Sequence, residues 1–168
     1  MATSARRRIE RKASKWTGYH RILWPTDFSA LAQAALSHAV GLASVTGAEL
    51  VLLHVLPPLT TYVMADLSGT LWAPLQRKTR AAAQTQLLRL ETQVKGSNYR
   101  TRTVLTEGVP FYEILQVAKR PRCDLIVLAT HARTGLVHAI MGSVAENVIR
   151  RARCPVLTIH PPRFRRGF

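Results

Sequence analysis

The segment Gly142-Ser143-Val144-Ala145-Glu146-Asn147 carries the clearest chemical signal in this 168-residue chain. Glycine lets backbone approach a ligand, and the amides that follow are helix N-terminal donors without partners and with partial positive charge. That combination receives an anion, and Ser143 adds a hydroxyl suited to phosphate. Ser143 and Glu146 are also spaced as a capping box, each side chain satisfying a backbone donor of the first turn. The two roles are compatible, because a phosphate would use the remaining amides.

Other reactive residue types do not assemble into a catalytic pattern. The nine acidic residues are scattered, and no Ser-His-Asp arrangement or His-rich metal spacing appears. Catalysis is therefore not expected, and no metal site is assigned. The six histidines (His20, His38, His54, His131, His138 and His160) fall on different elements. His54, inside an apolar run, reads as a hydrogen-bonded core residue, and His131 is the one with a functional position. Cys123 and Cys154 each precede a strand, and the two strands are expected to be neighbours. Two reduced thiols are the expectation, with a redox pair as the alternative.

These residues need elements to position them, and the chain alternates strand and helix signals. Arg21 to Pro25 is a short apolar run that suits a buried strand. Asp27 and Ser29 offer cap oxygens to an Ala/Leu-rich helix reaching about Val45, with Gly47 at its C-terminal end. Glu49 to Leu56 is nearly all apolar, as in a strand covered on both faces. Residues 59–74 are expected to be irregular, with Gly69 and Pro74 as breakers. A helix follows from about Leu75 to Val94, striped by Ala83, Leu87, Leu90 and Val94 and closed by Gly96. Arg100 to Thr106 predicts a strand, Pro110 opens a helix containing Ile114, Leu115 and Ala118, and Asp124 to Ala129 predicts another buried strand. Ser143 to Arg153 predicts the last helix, and Val156 to Ile159 the last strand.

Buried strands separated by helices cannot pair as hairpins, so they predict an α/β fold: a doubly wound, five-stranded parallel sheet with helices on both faces. The expected strand order is 3-2-1-4-5. A ligand crevice then opens beyond the carboxyl ends of strands 1 and 4, where the winding reverses. Pro25, Thr26, Asp27 and the loop beginning at Ala129-Thr130 would line it.

The organisation expected is a basic tail over residues 1–17, one domain over 18–160 and a second basic tail over 161–168. The net charge is +15. Residues 1–15 contribute +5 and residues 161–168 contribute +3, leaving +7 between them. Such arms suit nucleic acid or an anionic membrane surface without base specificity, or simple solvation. The longest apolar runs fall far short of the roughly 20 residues of a membrane helix, so no integral membrane segment is expected. Two cysteines and the lack of a leader pattern predict a cytoplasmic protein.

The segments ILWPTDFS (22–29), LLHV (52–55), DLIVLATHARTGL (124–136) and GSVAENVIRRARCPVLTI (142–159) together resemble the universal stress protein family. The resemblance spans residues 20–160 and implies a small stress-response regulator or protectant that forms a homodimer through its last strand, Val156 to Ile159. Many members bind ATP, with Mg if bound, at the crevice argued above. By motif, Pro25, Thr26 and Asp27 would surround the adenine and ribose, and Val55 would contact the base. Gly142, Ser143 and Val144 would face the phosphates. Asp27 suits a ribose hydroxyl or a base amino group, and equally suits capping the helix after it. The family's ATP pattern is Gly, two residues, Gly, nine residues, Gly, then Ser or Thr. Here Ala129 and Ala132 replace the first two glycines, and each added Cβ narrows the approach to a triphosphate. Thr130, His131 and Arg133 are placed to offset that loss. The other reading is a nucleotide-independent module that binds a protein or polyanion through its dimer surface and basic tails.

Overall fold

The computed structural model describes residues 18–58, 69–130 and 143–160. The order of elements is β1 (Arg21–Thr26), α1 (Ala30–Thr46), β2 (Glu49–Leu56), α2 (Gly69–Gln93), β3 (Thr101–Glu107), α3 (Pro110–Lys119), β4 (Leu125–Ala129), α4 (Ser143–Arg151) and β5 (Val156–Ile159). The strands form one sheet in the order β3-β2-β1-β4-β5, as expected. The four neighbouring pairs are parallel.

The period-two geometry of the strands explains why their sequences are apolar throughout. Ile22, Trp24, Leu50, Leu52, Leu125 and Val127 point to one face, where α1 and Leu87 of α2 cover them. Leu23, Val51, Leu53, Val55, Ile126 and Leu128 point to the other, against α3 and α4. Helix α1 meets the first face with Ala32, Ala35, Leu36, Ala39 and Ala43, a stripe of mostly small residues that brings its backbone near the sheet. The buried Trp24 indole finds its acceptor there, donating to the Ala32 carbonyl at 3.1 Å.

Several boundaries differ from expectation. Strand β1 runs through Pro25 to Thr26. The ladder between β1 and β4 covers Ile22↔Leu125 and Leu23↔Ile126, so the missing Pro25 N–H falls beyond it. The N-cap of α1 is Ser29, whose Oγ accepts from Ala32 N at 3.1 Å, while Asp27 accepts from Ser29 N at 3.0 Å. Gly47 closes α1 in the left-handed conformation at φ 71°.

Helix α2 begins at Gly69 and passes through Pro74 instead of starting at Leu75. The proline lies just behind the first four residues, whose amides have no intrahelical acceptor, and the helix continues through the loss of one more donor. The expected irregular stretch is thus partly helical, and residues 59–68 lie outside the described residues, as do both tails. Gly96 does not end α2 through a left-handed turn. The Tyr99 ring lies on it and fills the place a Cβ would take. Helix α4 ends at Arg151, two residues early, and Asp124 precedes β4. Its carboxylate instead accepts from the amides of His20 and Arg21 at 2.8 and 3.0 Å. No helix among the described residues is long and apolar enough to cross a membrane.

Candidate functional site

The turn from β1 into α1 is held by three consecutive bonds from side chain to backbone. Thr26 Oγ1 accepts from Phe28 N at 2.9 Å, Asp27 Oδ1 from Ser29 N, and Ser29 Oγ from Ala32 N. Phe28 adopts a left-handed backbone at φ 63°, which a bulky residue seldom does. Its ring centroid lies 4.3 Å from that of His54. His54 in turn reaches back across the β1–β2 ladder, its Nδ1 2.7 Å from the Thr26 carbonyl oxygen.

A carbonyl only accepts, so Nδ1 carries the proton. Burial lowers the His54 pKa, against an upward pull from the Thr26 hydrogen bond and the Asp27 carboxylate. The imidazole is therefore neutral at pH 7. It works as a brace for the turn, half-buried instead of a core residue.

This turn forms one wall of a cavity of about 220 Å³ beyond the carboxyl ends of β1, β2 and β4. Of the residues expected to line a site, Pro25, Thr26, Asp27, Val55 and Val144 border it together. Leu53, Pro110, Ile114, Leu128 and Ala145 complete an apolar wall that the sequence reading missed. Leu53 was available from the pattern, since it shares a face of β2 with Val55. Ile114 and Pro110 were not, because only the packing of α3 onto β2 brings them here.

Two of the other expected residues are engaged differently. Thr130 is buried, its amide bonded to Ile159 O and its hydroxyl 2.7 Å from His160 Nδ1. Its side chain thus joins β4 to the end of β5 and does not stand ready for a phosphate. Ala129, the last residue of β4, packs with the α1 side of the core. Ser143 is the first residue of α4, and Glu146 pairs with Arg150 at 3.0 Å, so the capping-box reading does not hold. The Asn147 amide donates to the Ser143 carbonyl at 2.8 Å. His131, Ala132, Arg133 and Gly142 lie outside the described residues. Among the described residues, no group of three or more His, Cys, Asp or Glu side chains could hold a metal ion.

Cys123 and Cys154 are both unpaired and border a second cavity at the opposite end of the sheet. Burial pushes the Cys123 thiol up to about 12 and also raises Cys154. Both are protonated at neutral pH.

The profile of the universal stress protein family matches residues 18–160. Universal stress protein MJ0531 of Methanocaldococcus jannaschii is 32% identical over 145 residues, covering 86% of this chain and 84% of that one. The structure of universal stress protein UspA from Lactobacillus plantarum superposes with a TM-score of 0.70 at 30% identity, covering 84% of this chain and 98% of that one. Two more distant structures share the fold. A universal stress protein in complex with cAMP has a TM-score of 0.65 at 20% identity, covering 85% of this chain and 98% of its own. One from Archaeoglobus fulgidus in complex with dAMP has 0.60 at 22%, covering 84% and 98%. The sheet order, the crevice at its switch point and the matched span lead to one conclusion: the chain belongs to the universal stress protein family.

Proposed function

We propose that this chain is a small, non-enzymatic, cytoplasmic regulator or protectant of the stress response that holds an adenine nucleotide, ATP with Mg when bound, in the crevice between β1 and β4. The observation that carries this reading is the cavity shared by Thr26, Asp27, Val55 and Val144, which β1, the turn after it, β2 and α4 bring together. Its Leu53, Val55 and Ile114 wall suits a flat apolar base, and Asp27 at the rim suits a ribose hydroxyl. Val144 and Ala145 bring the start of α4 to the cavity, and its first amides, with Ser143, would receive the phosphates. Relatives of the same fold are held with cAMP and dAMP, which supports an adenosine-shaped site.

Affinity is expected to be weak, because Ala129 and Ala132 stand where the pattern has glycine and the Thr130 hydroxyl is bonded to His160. A thermal-shift series tests this, since a ligand selective for the native state stabilises it. ATP at ten times its Kd should raise Tm by about 3 to 6 °C. A flat Tm across millimolar ATP rejects the reading.

The two alanines favour a second reading, a nucleotide-independent module that uses its dimer surface and basic arms to hold a protein or polyanion. Ala129→Gly with Ala132→Gly separates the two. Tighter ATP binding by the double variant shows a crevice that is otherwise competent, and no gain favours the interaction module. DNA binding that survives removal of residues 1–15 and 161–168 would show that the arms are not responsible.

A further inference from the structure

Two segments of like sequence converge at the amino ends of β4 and β5, at the opposite end of the sheet from the crevice. Arg120-Pro121-Arg122-Cys123 leads from α3 towards β4, and Arg151-Ala152-Arg153-Cys154 leads from α4 towards β5. The parallel register Ile126↔Val156 sets them side by side. Between them lies a cavity of about 340 Å³, bordered by Lys119, Arg122, Arg151 and Arg153, with Cys123 and Cys154 also facing it.

All four cations are exposed, and none has a carboxylate partner among the described residues. The nearby acids are engaged elsewhere: Asp124 holds the His20 and Arg21 amides, and Glu146 holds Arg150. Arg151 instead lies over the Phe111 ring, 5.2 Å from its centroid. The carbonyl ends of α3 and α4 account for basic residues in their last turns, Lys119 and Arg151. They do not account for Arg122 and Arg153, which lie beyond the helices.

Arg122 has a backbone that stability does not explain. Cys123 N donates to Ala118 O at 2.8 Å and Arg122 N to Lys119 O at 3.2 Å. This closes α3 with the paired bonds of a Schellman motif, whose left-handed position is usually glycine. Arg122 occupies that position at φ 55°, where a Cβ is strained. The strain sets a guanidinium at the mouth of the cavity.

We propose that this cavity is a second anion site, independent of the crevice, and that it takes a compact oligophosphate. Four cations around one hollow match negative charges gathered close together, whereas a nucleic-acid strand calls for cations spaced along a groove.

The test uses the full chain with reduced thiols and inorganic tripolyphosphate, read by calorimetry and by the rate at which N-ethylmaleimide modifies Cys154. Saturable protection of Cys154 is expected. Arg122→Gly and Arg153→Gln should each weaken tripolyphosphate binding about tenfold, the loss of one charge-assisted contact. Glycine adopts the left-handed backbone freely, so Arg122→Gly should melt no lower than the parent, and its lost affinity cannot be unfolding. Arg77→Gln with Arg80→Gln, on α2 across the sheet, removes twice the charge of either single variant and should still leave affinity unchanged. No saturable protection, or an equal loss in the α2 variant, overturns the proposal. An oligothymidylate that protects Cys154 at lower concentration than tripolyphosphate also overturns it and assigns the face to a nucleic-acid strand.

Discussion

His54 shows how a single side chain ties the crevice to pH. Its folded pKa lies below the unfolded value of 6.5 because burial disfavours the imidazolium. Below pH 6.5 the unfolded chain therefore binds more protons at this position than the folded one, and stability falls as pH drops. The contribution is fully present above the unfolded pKa and is lost as pH descends through the lower folded one. Melting curves from pH 7.5 downward should show this loss, and His54→Asn, which keeps a donor for Thr26 O but does not titrate, should flatten it. An unchanged slope in the variant would assign the pH dependence to other groups. This brace was not legible in the sequence, where His54 looked like one polar residue in an apolar run. Its partner Thr26 O is set by strand register, and its ring neighbour Phe28 by a left-handed turn that no local pattern announces. Thr130 misled for a similar reason. Its hydroxyl stood beside the expected phosphate loop in sequence, but the β4–β5 ladder gives it to His160.

At the scale of elements, most of the fold was written in local chemistry. The strands were legible because each is short, apolar and closed by turn residues, and α1 because its Ala-rich face lies between Ser29 and Gly47. What stayed hidden depended on partners distant in sequence. Pro74 reads as a stop, yet α2 runs through it, and Gly96 reads as a terminator, yet its role is to lie beneath Tyr99. The β1–α1 turn makes the link from element to site testable. Ser29→Ala removes the acceptor for Ala32 N and should lower stability by about 1 kcal/mol, the usual worth of an N-cap. Chemical denaturation should find this as a lower midpoint with an unchanged slope. Because the same turn carries Thr26 and Asp27 to the crevice rim, the variant should also weaken any nucleotide binding. Full stability in Ser29→Ala would mean that the Thr26 and Asp27 bonds hold the turn by themselves.

For the whole molecule, the open side of β5 and the net charge act against each other. Among the described residues, strand β5 pairs with β4 alone, and Leu157 on it is 36% exposed. An edge with unpaired backbone groups and an apolar side chain invites a second copy. The chain carries +15, so two copies repel, and screening should decide how tightly they associate. The Debye length shrinks from about 10 Å at 0.1 M salt to about 3 Å at 1 M, which removes most repulsion between exposed charges while leaving apolar burial intact. Sedimentation at micromolar protein should therefore show a dimer whose dissociation constant falls as salt rises, opposite to a dimer held by ion pairs. Leu157→Arg adds charge at the edge itself and should yield monomers at every salt concentration while retaining the fold, because Leu157 is partly exposed already. A parent chain that sediments as a monomer throughout would refute the association, and a Leu157→Arg variant that still dimerises would place the contact away from β5.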